Sequence, residues 1–372
     1  MTAIESVFPL PEAAILKGPA IYLPQMIAHF HGGDLFVAVG ANANPMTLVA
    51  FRQGGATDVR TFPHEPYTRE VSAALGKRAG GGEFDPEQDY FSRDLSASPR
   101  QLLTIGDALV IVRLHAGHAL IDPATLAIEA VPRSAVERLY AFGPGTMLAA
   151  ACGKYANDEA VQLYWTVETA HLREPFLRCK NRETRVPMSG FVDGVPFPDE
   201  DGPIPLAAGI ARVRGESPNH SMHIASAIVW NGKLFGLALD LMRSGSHDHS
   251  IVRMDLASRK VDGITPLAKE DKTLDAAWAV SPAGLIAFAD KAVLLIDPGT
   301  LAVVDRAPLP KGIDLVGSDA DRVVLRHKRS NTLFVARSTA LAPPLGAALT
   351  ALAAEIDDRL KASRAAAKRK RA

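Results

Sequence analysis

Short apolar runs recur along most of the chain, each four to six residues long and bounded by turn residues, which is the pattern of a sheet protein. Residues 47–51, 118–121, 161–165, 250–254, 292–296 and 332–335 form one series, each with a second apolar run just upstream, as 35–39 and 108–112 show. Their starts lie 71, 43, 89, 42 and 40 residues apart. Three of these intervals match the ~40–45 residues of a four-stranded propeller blade. The interval of 89 is close to two such steps, so a degenerate blade is expected around 204–213, with 191–192 and 195–197 as its preceding strand. The interval of 71 is one step plus a surplus that falls in 63–100, a polar, Gly-rich stretch without strand alternation. That stretch reads as an inserted loop with a short helix at 70–77. The pattern predicts an all-β chain, a single β-propeller of seven four-stranded blades, or six if 204–213 is not a blade.

One stretch occurs twice. Leu120-Ile121-Asp122-Pro123-Ala124-Thr125-Leu126-Ala127 returns as Leu295-Ile296-Asp297-Pro298-Gly299-Thr300-Leu301-Ala302. In each copy an apolar strand ends, Asp takes the first corner of a β-turn, and Pro follows with φ already set. Ala124 at the third corner favours a type I turn, and a second strand is expected to start at Leu126 and at Leu301. These hairpins resemble the YVTN/WD40-like family of β-propeller repeats, whose blades place a similar Asp-x-x-Thr turn between outer strands. The resemblance covers most of 19–343 and is specific at 118–131 and 292–304. It implies a propeller that binds other molecules. The Trp-Asp dipeptide of true WD40 blades is missing, so histone-tail and ubiquitin-ligase roles do not carry over.

A propeller has to close its ring or leave two sheet edges unpaired. The last blade ends weakly, and Ser6-Val7-Phe8 is the expected outer strand for it; Pro9 is tolerable there because an outer strand is an edge. Beyond Pro344 the apolar period changes: Leu345, Leu349, Leu352, Ile356 and Leu360 step by 4, 3, 4 and 4, one face of an amphipathic helix. The expected organisation is a propeller over 1–344 with an inserted loop at 63–100, then a C-terminal helix and basic tail over 345–372.

Composition refines this picture in two places. Cys152 and Cys179 are too few for a disulfide framework. The first 18 residues carry Glu5 and Glu12 and lack a basic leader, and no run approaches the ~18 apolar residues of a membrane span. A soluble, cytoplasmic protein is expected. The formal net charge of zero hides an asymmetry, since 359–372 holds seven basic residues and no acidic one. Lys368 to Arg371 suit phosphates of nucleic acid or of anionic lipid, or form a solvated terminus; without interleaved aromatics they do not suit base stacking.

Candidate chemistry follows from topology. Loops between second and third strands share a face with loops that join blades, and the long segments 42–46, 63–100, 154–160, 179–201 and 240–249 are assigned to that face. His220 and His223 stand where one blade's inner strand begins; Asp240, His247, Asp248 and His249 stand in the loop between the same blade's second and third strands. His220, His223, Asp240, His247 and His249 are the ligand-site candidates, with His220, His223, His247 and His249 as ligands for Zn²⁺ or another divalent ion, the one cofactor considered. The same segment also reads as a polar loop with solvated histidines. His29, His31, His115 and His118 read as structural, and Asp85, Glu87, Asp89 and Asp94 lack calcium-loop spacing. No nucleophile elbow, Walker loop or dinucleotide fingerprint is present. The expected function is a non-catalytic scaffold that binds a partner protein or small-molecule ligand on the long-loop face; the alternative is a metal-dependent hydrolase or lactonase using the histidines of 220–249.

Overall fold

The computed structural model describes residues 2–15, 25–40, 46–62, 99–113, 117–131, 136, 138–154, 160–173, 204–205, 222–240, 248–258, 260–271, 276–289 and 292–369. Among them are six antiparallel sheets of four strands. The first strand, β1 (Ile4–Pro9), belongs to the last sheet. Blade one is β2 (Gln25–His31), β3 (Asp34–Gly40), β4 (Met46–Phe51) and β5 (Thr57–Phe62). Blade two is β6 (Pro99–Ile105), β7 (Ala108–Arg113), β8 (Gly117–Ile121) and β9 (Ile128–Ala130); blade three is β10 (Arg138–Ala141), β11 (Thr146–Lys154), β12 (Ala160–Glu168) and β13 (Ile204–Pro205). Blade four is β14 (Met222–Trp230), β15 (Lys233–Asp240), β16 (Asp248–Asp255) and β17 (Lys260–Pro266); blade five is β18 (Ala276–Ser281), β19 (Gly284–Ala289), β20 (Ala292–Ile296) and β21 (Val303–Pro308). Blade six is β22 (Ile313–Ser318), β23 (Arg322–His327), β24 (Thr332–Arg337) and then β1. The helix α1 (Leu345–Arg369) follows.

The protein is therefore a six-bladed propeller, not the seven-bladed one that the spacing favoured. Ile204 and Pro205 pair with Tyr164 and Leu163 as the outer strand of blade three. Among the described residues no further sheet falls in the interval of 89; 174–203 and 206–221, with the rest of the expected blade at 191–213, lie outside them. A second boundary also moves. Pro99 and Arg100 open the inner strand of blade two and pair toward Arg113, so 63–98 alone separates blades one and two. The expected helix at 70–77 lies outside the described residues.

Burial explains which strands the sequence displayed. Second and third strands are covered on both faces by neighbouring blades, so β4, β8, β19 and β20 are buried at every position and read as unbroken apolar runs. Outer strands touch solvent, and β21 alternates between half-buried and exposed over 303–306. The core divides into six apolar clusters, one in each interface between neighbouring blades. The cluster between blades six and one joins Val324, Leu333 and Val335 to Val37 and Val49, so the ring is closed by packing.

It is also closed by pairing. Val7, Phe8 and Pro9 lie opposite Phe334, Leu333 and Thr332, as expected for the N-terminal segment. Helix α1 lies across the outer strands of blades five and six. Its five-residue apolar stripe is buried, from Leu345 and Ile356 at 0% exposure to Leu360 at 9%, in one cluster with Ile4, Leu295 and Phe334. Asp305 Oδ2 in β21 accepts the Leu345 N–H at 2.7 Å, which satisfies one of the open donors at the helix start.

Candidate functional site

The repeated turn defines one face of the ring. Asp122 Oδ1 and Oδ2 accept the Ala124 N–H at 2.9 Å and the Thr125 hydroxyl at 2.7 Å. Asp297 Oδ1 accepts the Thr300 N–H at 2.6 Å and its hydroxyl at 2.9 Å. Hydrogen bonds from the threonines hold both carboxyls below the usual range. The turn is one residue longer than the expected type I turn: Leu126 donates its N–H to Asp122 O, and Leu301 donates to Asp297 O. These leucines sit at φ 57° and 61° with their side chains buried, so the second strand begins after them. Asp255 with Ser258 makes the same contacts in blade four, at 2.7 and 2.8 Å.

Each repeated turn is gripped by an arginine of the preceding blade. Arg52 donates to Pro123 O at 2.7 Å while Asp34 and Asp58 hold its other nitrogens at 2.9 and 2.7 Å. Arg253 donates to Pro298 O at 2.8 Å and Gly299 O at 2.6 Å, with Asp262 at 2.7 Å. Burial opposes ionisation of Asp34, but hydrogen bonds from Arg52 and from the Gln53 N–H overcome it and lower its pKa. This face is the braced one. A cavity of about 890 Å³ opens on it between blades five and six, where most ionic groups are engaged: Arg337 with Glu5 at 2.6 Å, Arg322 with Asp319 at 2.6 Å, and Asp297 within its turn.

The strand ends that flank 41–45, 63–98 and 241–247 lie on the other face. The connection at 174–203 joins third to fourth strand in blade three, which is neither of the two loop classes expected for 179–201; those residues lie outside the described ones.

A central channel of about 690 Å³ runs between the six inner strands. Side chains tie those strands to one another around the ring. His29 Nε2 and His31 Nδ1 both meet Thr104 Oγ1, at 2.8 and 3.0 Å, between blades one and two. Gln101 exchanges two bonds with the Leu139 backbone, at 3.1 and 2.8 Å. Ser226 Oγ accepts the Trp278 indole N–H at 3.0 Å, and Ser318 donates to Trp278 O at 2.8 Å. Between blades six and one the strands come so close that a Cβ on Gly317 would stand 2.0 Å from Ala28 O. Most neutral polar groups of the channel therefore serve the ring itself.

The charged groups lie at one end. Inner strands start on the long-loop face, so Arg100, Arg138 and Asp314, at the starts of β6, β10 and β22, line the channel near its mouth there; Arg326 and Lys328, at the end of β23, line the same region. Asp314 lies opposite Arg326 across the strands, and it pairs with Lys328 at 2.9 Å. Arg326 donates to Asn331 Oδ1 at 3.2 Å, while its buried Nε has no hydrogen-bond partner among the described residues. Burial pulls the Arg326 guanidinium below its usual pKa, and Asp314 offsets part of that. Four cations and one carboxylate thus line a wall of mixed polarity.

The histidines expected at the site fall as follows. His223 in β14 and His249 in β16 flank Leu239 in one row across blade four, about two strand spacings or roughly 10 Å apart. Asp240 and Asp248 pair one row nearer the loop. His249 is buried and its carbonyl accepts the Leu267 N–H at 2.8 Å. His220 and His247 lie outside the described residues, as do His115, Asp85, Glu87, Asp89 and Asp94. Among the described residues no group of three metal-ligating side chains converges. His118 is structural, fully buried with Nε2 donating to Leu172 O at 2.7 Å. Reasoning from sequence missed the channel cations. Their signal is a basic residue at the start of an inner strand, as at Arg100 and Arg138.

No protein-family model matches the chain, and no curated protein matches it in sequence. Its fold is similar to that of the WD40 domain of Pan2 from Neurospora crassa, with 10% identity and a TM-score of 0.43 over 86% of this chain and 91% of that one. The N-terminal domain of Nup159 is similar at 11% identity and a TM-score of 0.39, over 84% and 75%. PorZ, a surface component of the type-IX secretion system of Porphyromonas gingivalis, is similar at 11% identity and a TM-score of 0.38; the match covers 86% of this chain and 37% of PorZ. The six four-stranded sheets place the chain in the β-propeller class. Among the described residues no helix is long and apolar enough to cross a membrane.

Proposed function

We propose that this propeller is a non-catalytic binding scaffold that holds a partner protein or small-molecule ligand on its long-loop face. The observation that supports it is the cationic channel mouth, which opens on that face, whereas on the opposite face Arg52 and Arg253 brace neighbouring blades. Binding residues concentrate where loops sit on a rigid frame. The basic end of α1, with Lys361 and Arg364 exposed, adds a separate surface for nucleic acid or anionic lipid, and the cytoplasm is the compartment that fits this reading.

The test is photo-crosslinking in cells from one site on each face. A photoreactive residue replacing Arg329, on the long-loop side, should give a discrete adduct, and one replacing Asp107, in a turn of the braced side, should not. Adducts from Asp107 alone would reverse the assignment. Metal analysis decides the alternative: a stoichiometric divalent ion that is lost in His249→Ala would make the protein a candidate metal-dependent hydrolase instead.

A further inference from the structure

We propose that the long-loop end of the central channel is a site for a small organic oxyanion, a phosphate- or carboxylate-bearing molecule whose apolar body lies along the inner strands. This rests on the scaffold reading and names the ligand chemistry of the same face.

Three observations carry it. The channel volume of about 690 Å³ falls within the ~300–1,000 Å³ of small-molecule pockets. Its wall is mixed: half-buried apolar side chains such as Ile27, Leu103 and Ile228 alternate with polar ones, and Arg100, Arg138 and Arg326 stand at one end, so it offers an apolar surface beside groups that can orient an anion. The third is Arg326. Its Nε is buried and bonds to nothing among the described residues, and its cross-strand carboxylate Asp314 already pairs with Lys328. A half-buried guanidinium with an open donor is stabilised by an anion that accepts from its fork, and planar bidentate acceptance is what phosphate and carboxylate offer. Because Arg100, Arg138 and Arg326 are half-buried at the channel mouth rather than spread over an outer surface, they suit a small ligand better than a nucleic acid, whose phosphates need an open basic face.

The experiment uses the full chain at low ionic strength, with binding followed by calorimetry and thermal shift, and with inorganic phosphate, phenyl phosphate, benzoate and hexaglutamate as probes. Phenyl phosphate should bind roughly tenfold tighter than inorganic phosphate, because only it uses the apolar wall. Comparison with benzoate separates a phosphate site from a carboxylate site. Arg326→Gln and, independently, Arg138→Gln should each weaken phenyl phosphate by roughly tenfold or more, and Arg326→Lys should restore part of the loss. Should one glutamine variant fail to fold, the other carries the test. Arg364→Gln, in the exposed part of α1, should change nothing. The proposal is overturned by absence of binding at about 10 mM, by undiminished binding in both glutamine variants, or by an equal loss in Arg364→Gln. Hexaglutamate binding tighter than phenyl phosphate would overturn it in favour of an acidic peptide. A crosslinked partner at Arg329 without anion binding would leave the scaffold standing and remove this site. Anion binding without an adduct would leave the site and remove the protein partner.

Discussion

Glu355, in the middle of the C-terminal helix, accepts the backbone N–H of Ala3 at 2.9 Å. Its second oxygen takes the Ile4 N–H at 3.2 Å, and Arg359, one turn on, donates to Ile4 O at 3.3 Å. The two ends of the chain are thus joined where the ring closes. An outer strand that is also a terminus frays readily, and the helix supplies polar partners at the very end where β1 begins. Glu355→Ala should lower stability by about 1–3 kcal/mol, the range for charge-assisted bonds to backbone donors, or a few degrees in melting temperature. Hydrogen exchange should show the loss concentrated in Ile4–Pro9. Unchanged protection of that strand would show that the carboxylate is dispensable for closure.

Leu352 is 3% exposed in the cluster that holds Ile4, Leu295 and Phe334. A lone helix is marginal in water, and α1 stands because its stripe is covered by two blades. Leu352→Asp should destabilise the whole protein by roughly 3–5 kcal/mol, since it adds an unpaired charge to a lost side chain. The measurement is a urea midpoint together with the sedimentation coefficient. Unaltered melting would mean that the packing of this stripe does not support the fold.

The stripe at 345–360 and the closing segment at 6–8 were legible because both are periodic patterns tied to a geometric need: an apolar face needs a cover and a ring needs a last strand. The third strands were legible for a related reason, since β20 is covered on both sides and shows only apolar residues. Blade number was legible only as a choice, with seven favoured and the observed six as the fallback. Counting by interval assumes loops of equal length, and the connection that ends at Ile204 breaks that assumption. The channel cations escaped for a different reason. Inner strands line a cavity and face neighbours of mixed polarity, so Pro99-Arg100-Gln101 shows no alternation and reads as loop. Arg52 and Arg253 were equally invisible, because their acceptors are backbone carbonyls of the next blade, and a carbonyl leaves no trace in sequence.

That invisibility makes the two arginines informative to test. Arg52 reaches Asp34, Asp58 and Pro123 O at once, a fork that lysine's single point charge cannot reproduce. Arg52→Ala should reduce stability by about 1–3 kcal/mol, and Arg52→Lys should recover less than half of it. Arg253→Ala should behave alike on the blade four to five side. The two sites share no partners, so the double variant should be additive within about 0.5 kcal/mol. A urea midpoint unchanged by either substitution would reduce these latches to surface decoration.

Acid should weaken the fold well before its carboxylates titrate. His29 and His118 both have pKa values lowered from 6.5 to about 4. In His29 burial is the main cause, with His31 adding to it and Asp319 opposing; in His118 burial again leads, opposed by the bond to Leu172 O and reinforced by Arg113. The unfolded chain takes up protons as pH falls through 6.5, whereas the native protein refuses them until about 4. Stability is therefore fully present above 6.5, declines across that window and levels off, for these groups, below it. The two shifts together correspond to a loss on the order of a few kcal/mol. Asp34, whose pKa is lowered, acts in the same direction at still lower pH, because its contribution is present above the ordinary carboxylate range and lost as pH drops through its native value. The measurement is the urea midpoint at several pH values from 7 down to 4, for the wild type and for His118→Gln. The wild-type midpoint should fall with pH, and His118→Gln, which has no proton to refuse, should fall less steeply even if it starts lower. A wild-type midpoint that stays level over this range, or an equal slope in the variant, would show that the buried imidazoles are not what couples this propeller to acid.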